Sequence, residues 1–232
     1  MKGGKIKNLK PIQETLISIR AYENIREAII SGQFPPGTKL TVDMLCNELN
    51  ISRTPVKEAL VRLEREGLVE NIPRRGMFVA KISIEDAIEI YELREVLEGF
   101  AVRKLCENID EDTLKTLKEL IDEGEKYISQ DKLKKYSDID EKFHKTIWDK
   151  SGNKRLFKIL ENIRSQIRLL MTSSINIPGR ADASLKEHKN IIKALEERNP
   201  DLAEEYMRIH IRNTREVALK NYLEKISMKE VK

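Results

Sequence analysis

Between Glu14 and Ser31 apolar residues return every three or four positions, at Ile19, Tyr22, Ile25, Ala28 and Ile29, and Gly32 follows. That spacing predicts one helix with a single buried stripe and a glycine stop. Phe34-Pro35-Pro36-Gly37 reads as a rigid turn. Thr41 suits the N-cap of a short helix through Leu49, and Asn50 suits a tight bend, because Asn tolerates the left-handed conformation. A further helix is predicted from Ser52, with Pro55 in its first turn, Val56, Leu60 and Leu63 facing inward, and Gly67 as its end. Two short strands follow, Leu68–Ile72 and Met77–Ala80, joined by the turn Pro73-Arg74-Arg75-Gly76. Three helices and a basic-tipped hairpin predict a winged helix-turn-helix.

From Ile84 onward the period stays helical. Six amphipathic segments are predicted, at about 84–107, 110–129, 133–150, 153–174, 181–198 and 200–226. Their breaks fall at Asn108-Ile109-Asp110, near Gln130, at Ser151-Gly152-Asn153, at Asn176-Ile177-Pro178-Gly179 and at Asn199-Pro200. Short links between such helices predict an antiparallel bundle. The expected fold class is therefore mainly α: an N-terminal winged helix-turn-helix in residues 1–81, with residues 1–11 a flexible basic arm, and a C-terminal all-α antiparallel helical bundle in residues 82–232.

Composition sharpens this division. Residues 1–82 carry 14 Lys or Arg against 9 Asp or Glu, whereas residues 83–232 carry 29 against 30, so the basic excess lies in the first third. A polyanion is expected to bind there. Aromatic residues make up 5% of the chain, too few for recognition of single strands by base stacking. Cys46 and Cys106 are far apart and form no CxxC pair, which suits reduced thiols. Met1–Lys7 has no apolar run like that of a signal peptide, and no segment reaches membrane length, so a cytoplasmic protein is expected.

In the Ser52 helix, Arg53, Thr54 and Lys57 lie near the N-terminus and opposite Val56 and Leu60. A helix end entering the major groove puts such side chains at base edges and phosphates. The Arg fork matches guanine O6 and N7, and the Ser52 and Thr54 hydroxyls suit phosphate oxygens. Arg75 can place a cation in the adjacent minor groove, with Gly76 letting the backbone come close. A plain solvated face is the competing reading of any one of these residues.

Taken together, Gly32–Leu40, Ile51–Leu60, Arg62-Leu63, Glu66–Val69 and Pro73–Val79 resemble the DNA-binding domain of GntR-family bacterial regulators. The resemblance covers nearly all of residues 14–80. It implies that Arg53, Thr54 and Lys57 contact operator DNA, with Arg75 and Gly76 at the wing. Two positions depart from the family pattern: Asp43 stands where an Arg is common, and Lys57 replaces a usual Arg.

In the second half, Asp140 and His144 are one helical turn apart and share a face, and His188 and His210 sit on the apolar side of later helices. Three imidazoles and a carboxylate are a donor set for a divalent cation, zinc first, with nickel or manganese as alternatives. The competing reading is a set of core histidines satisfied by their neighbours, and spacing alone leaves both open. Arg94 can grip an effector carboxylate or pair with Glu98 one turn on. Asn213 and Thr172 are further candidate pocket groups, and Trp148 is expected in the core.

Residues 84–226 resemble the FCD ligand-sensing domain of the FadR branch of the same family. The resemblance rests on Arg94 through Glu98, Asp140 with Phe143-His144, Ser151-Gly152-Asn153, Glu187-His188 and Met207 through His210. Six helices suit its shorter, VanR-like group. It implies a metal held by Asp140, His144, His188 and His210, a small carboxylic-acid effector beside it, a homodimer on double-stranded operator DNA, and repression. Two rival functions are a metal-dependent enzyme fused to a DNA-binding module and an effector-free architectural DNA-binding protein. The first wants a general base or nucleophile beside the four ligands, and none is evident.

Overall fold

The computed structural model describes residues 14–175 and 177–230. The arm expected at residues 1–11 lies outside the described residues. The chain divides into two compact units, one up to Lys81 and one from Ile82.

In the first unit, helix α1 (Glu14–Ile30) packs on α3 (Arg53–Arg65), with α2 (Val42–Leu49) also against α3. Tyr22, Ile25 and Ile29 of α1 meet Val56, Leu60 and Leu63 of α3 in a closed core. Ile19, expected in that stripe, is 39% exposed. It sits about 120° round the helix from Ile25, past the edge of the packed face.

Thr41 caps α2, its side chain accepting from the Met44 N–H, and Asn50 closes it in the left-handed conformation at φ 51°. That bend sends the chain directly into α3. Gly67 adopts φ +68° and turns the chain out of α3 into a sheet.

The sheet has three strands, one more than the hairpin read from sequence. Strands β2 (Val69–Ile72) and β3 (Gly76–Val79) pair antiparallel, and β1 (Lys39–Leu40) adds to the other side of β3, opposite Phe78 and Met77. Two residues are too few to show alternation, so β1 left no period to detect.

The second unit is helical throughout its described residues: α4 (Ile84–Asn108), α5 (Glu111–Ser129), α6 (Leu133–Lys150), α7 (Lys154–Ile175), α8 (Arg180–Glu196) and α9 (Pro200–Glu230). Ser83 and Asp86 form a capping box at the start of α4, and Asp110 caps α5 through the Thr113 N–H. Helix α4 runs along α9 and also touches α6 and α7. Its buried face carries three polar side chains, Tyr91, Arg94 and Glu98, at three- and four-residue spacing. Polar groups in that place need partners: Glu98 finds them in Arg94 of α4 and in His144 and Trp148 of α6, while the Tyr91 hydroxyl finds none.

Candidate functional site

His144 and Asp140 project from α6, His188 from α8 and His210 from α9, and all four side chains are 2% exposed or less. The His210 Nε2 lies 3.2 Å from the His144 Nε2 and 3.3 Å from the His188 Nε2. Asp140 stands slightly back. Its Oδ1 is 3.7 Å from the His188 Nε2 and its Oδ2 3.9 Å from the His144 Nε2. The Oδ1 accepts from the Ser184 hydroxyl at 3.3 Å, while the buried Oδ2 accepts no hydrogen bond.

The outer nitrogens of two histidines are engaged. His144 Nδ1 is 2.6 Å from Glu98 Oε2, and His210 Nδ1 is 2.7 Å from Glu187 Oε2. A carboxylate accepts only, so each Nδ1 carries the proton. In the neutral rings the two Nε2 atoms then face each other, 3.2 Å apart, as bare lone pairs. Burial lowers the pKa of His210, against the pull of Glu187, so an imidazolium proton between them is disfavoured. Burial, then the neighbouring His210 and His144, lowers that of His188 well below the ordinary value. Two facing lone pairs, with the His188 Nε2 3.3 Å from one of them and an unpartnered carboxylate oxygen alongside, suit a cation. Two ligands held at zinc–imidazole bond length and a tetrahedral angle would be roughly 3.3–3.4 Å apart, close to the observed separations. The residues present therefore fit a divalent metal.

Each of the two outer carboxylates is gripped by an arginine. Arg94 Nε donates to Glu98 Oε1 at 2.7 Å, and Trp148 Nε1 donates to Glu98 Oε2 at 3.0 Å. Burial would push the Glu98 carboxyl up, but Arg94 and His144 hold it far below its usual range. Arg180 Nη1 and Nη2 straddle Glu187 at 3.1 and 2.8 Å, and Asn213 donates to it at 2.7 Å. Burial raises Glu187 too, yet the His210 and Arg180 hydrogen bonds bring it to about 2. These partners fix the histidine tautomers, as partners of metal-binding imidazoles do. Glu187 and Arg180 were not singled out as site residues from sequence, because Arg180 lies seven residues before Glu187 and the pair meets His210 only across α8 and α9.

Arg94 is thus committed through Nε to Glu98, while its buried Nη1 makes no hydrogen bond and neither does the buried Tyr91 hydroxyl. Arg94 also lines a cavity of about 10 Å³ with Ser137, Glu141, His144, Trp148, Ile167 and Arg168, room for one water. Trp148 is buried in the core. The Thr172 side chain lies outside the described residues.

In the first unit, Ser52, Arg53, Thr54 and Lys57 are exposed at the N-terminal end of α3, and the Ser52 hydroxyl makes no capping bond. Arg53 Nη2 meets Asp43 Oδ1 of α2 at 2.6 Å. In the wing, Arg75 is exposed and Gly76 sits at φ +102°, with Lys39 of β1 close by. The cations of Arg75 and Lys39 lie 5.4 and 5.9 Å from the centre of the Phe78 ring. Lys39 was not read as a wing residue, since the strand carrying it was not seen.

Comparison with known proteins bears on both units. Residues 17–79 match the family described as bacterial regulatory proteins, gntR family, and residues 89–213 match the FCD domain. The chain belongs to the GntR family, in the branch that carries an FCD domain, and is a DNA-binding transcriptional regulator. It is 28% identical to the HTH-type transcriptional regulator YdhC of Bacillus subtilis, over 89% of this chain and 92% of that one. It is 25% identical to the HTH-type transcriptional repressor RspR of Escherichia coli, over 90% of each. Among solved structures it resembles E. coli McbR/YncC, with a TM-score of 0.77 at 19% identity over 89% and 98% of the two chains. It also resembles the metal-free FCD domain of TM0439, with a TM-score of 0.51 at 24% identity over 62% and 99%. Family and relatives are transcription regulators, which sets the enzymatic reading aside.

Proposed function

We propose that this chain is a cytoplasmic repressor that binds operator DNA as a homodimer through its winged helix and is controlled by a divalent metal and a small carboxylic acid in its helical unit. The observation that carries the proposal is the convergence of three buried Nε2 atoms, His144, His188 and His210, beside the unpartnered Asp140 Oδ2. A divalent ion held there, with zinc the first expectation, supplies Lewis-acid positions open to an anionic oxygen.

Charge supports an acid as the signal. Arg94 offsets Glu98 and Arg180 offsets Glu187, so the four ligand side chains contribute one negative charge, that of Asp140. A divalent ion leaves one positive charge over, which a carboxylate neutralises. The unpartnered Arg94 Nη1 is the second anchor for that carboxylate.

The present cavity has room for one water only, so any acid displaces side chains of its wall, Ile167 and Arg168 of α7 among them. Displacing that wall gives the helices a second arrangement that the acid favours over the present one, as linkage requires of an effector. Operator contact is assigned to Arg53, Thr54, Lys57 and Ser52 on α3 and to Arg75 and Gly76 at the wing. A repressor among the relatives supports the sign of control.

Two measurements test this. Purified protein should hold about one zinc per chain, lost in His188→Ala. Titration of the metal-loaded protein on its operator with a panel of small carboxylic acids should reveal at least one that weakens binding. Metal-free protein that ignores added zinc, or operator binding indifferent to every acid, overturns the corresponding half.

A further inference from the structure

Arg53 and Asp43 occupy the first turns of two different helices, ten residues apart in the chain. The Thr41 cap places Asp43 in the first turn of α2, and the left-handed Asn50 bend swings Arg53 back beside it. The Arg53 Nη2 donates to the Asp43 Oδ1 at 2.6 Å, with the side chains 67% and 74% exposed. An acid in the first turn of a helix is favoured by the helix dipole, but that does not make it reach for a cation on the next helix. Exposed as it is, the pair adds little to folding. It also sets a negative charge on the face that presents Arg53, Thr54 and Lys57, where every phosphate would be repelled.

We infer that Asp43 is a specificity-determining residue: it holds the Arg53 guanidinium in one orientation, so that Arg53 reads a base edge rather than a phosphate. The reason is geometric and electrostatic. An arginine fork has five donors, and a carboxylate engaging one of them restricts the rotation of the others without occupying them. A free arginine on a helix end is drawn to whichever phosphate is nearest, which carries no sequence information. Tied to Asp43, it gives up that option and points its remaining donors outward. As the duplex removes water from around the pair, the hold strengthens. The cost is weaker attraction to DNA in general, so the pair trades affinity for discrimination.

This inference rests on the assignment of Arg53 to the operator, and the test separates the two. The preferred half-site is selected from randomised duplexes with the full-length protein, as wild type, Arg53→Ala, Asp43→Asn, Asp43→Ala and the Asp43→Asn/Arg53→Ala double variant. Affinities are then measured for the selected duplex and for a random one. Arg53→Ala should flatten the preference at one or two base pairs. Asp43→Asn and Asp43→Ala should flatten those same base pairs, cutting discrimination about tenfold, with random-duplex affinity unchanged or raised. The double variant should discriminate no worse than Arg53→Ala alone.

If Arg53→Ala loses its preference while both Asp43 variants keep the wild-type one, the inference fails and the Arg53 assignment stands. Equal loss of affinity for both duplexes in the Asp43 variants overturns it too, as does loss at base pairs that Arg53→Ala leaves alone. If Arg53→Ala keeps the full preference, the assignment of Arg53 falls and the inference with it. Thermal melts of both Asp43 variants, expected to match wild type, guard against a folding defect.

Discussion

Glu98 shows how much one buried side chain can carry. It receives Arg94, His144 and Trp148 and is 0% exposed. Glu98→Ala leaves the Arg94 charge buried with no carboxylate, which should cost about 3–5 kcal/mol, read as a lower denaturation midpoint. Glu187 is a gentler probe, because its side chain is 16% exposed. Glu187→Gln should lower zinc affinity by about 10–100-fold in competition with a chromophoric chelator, while the far-ultraviolet circular dichroism stays that of the wild type. Undiminished affinity would mean that the His210 tautomer is set by something else. Asp140 and His144 were legible as a pair because a helical turn joins them. The partners of Arg94 were half legible: Glu98 at i+4 accounts for its Nε, but only packing shows that its Nη1 is left over.

At the scale of elements, the junctions matter more than the rods. Asn50 holds a left-handed conformation between α2 and α3. Asn50→Ala should cost about 1 kcal/mol, since alanine meets the full steric penalty there, whereas Asn50→Gly should not; circular dichroism in a urea titration separates them. The Ser83–Asp86 box starts α4. The Ser83 N–H, then its hydroxyl, lowers the Asp86 carboxyl from its ordinary 3.8. A depressed folded-state value means that the contribution is complete above 3.8 and is lost as pH falls through and below it. The unfolding midpoint of wild type should therefore decline more steeply below pH 4 than that of Asp86→Asn. The Thr41 cap and the Asn50 bend were readable in advance because their chemistry is local, whereas the Ser83–Asp86 box was not read. Strand β1 was not, because two residues have no period and only pairing with β3 makes them a strand.

For the whole molecule, the proposed zinc site ties metal binding to stability. A ligand that binds only the folded chain stabilises it by mass action, about 4 kcal/mol at a thousand times its dissociation constant. Added zinc should raise the melting temperature, followed through Trp148, the single tryptophan. The triple variant His144→Ala/His188→Ala/His210→Ala should show no such rise. Trp148 donates to Glu98, which holds His144, so its emission belongs to the helical unit and sits two hydrogen bonds from the ligand set.

The order of elements, the winged helix and the helical character of the second unit were written in local signals: hydrophobic period, caps, glycine stops and turn residues. Such signals act over a few residues, and any chain carrying them builds those elements. The meeting of His144, His188 and His210, the Arg180 clasp on Glu187 and the Arg53–Asp43 pair across a bend belong to another order of information. They join residues 7 to 66 positions apart, and no local preference specifies which distant side chains will share a cavity. Packing of α4, α6, α8 and α9 around one core settles that, because close-packed helices leave each buried polar group only a few neighbours within reach.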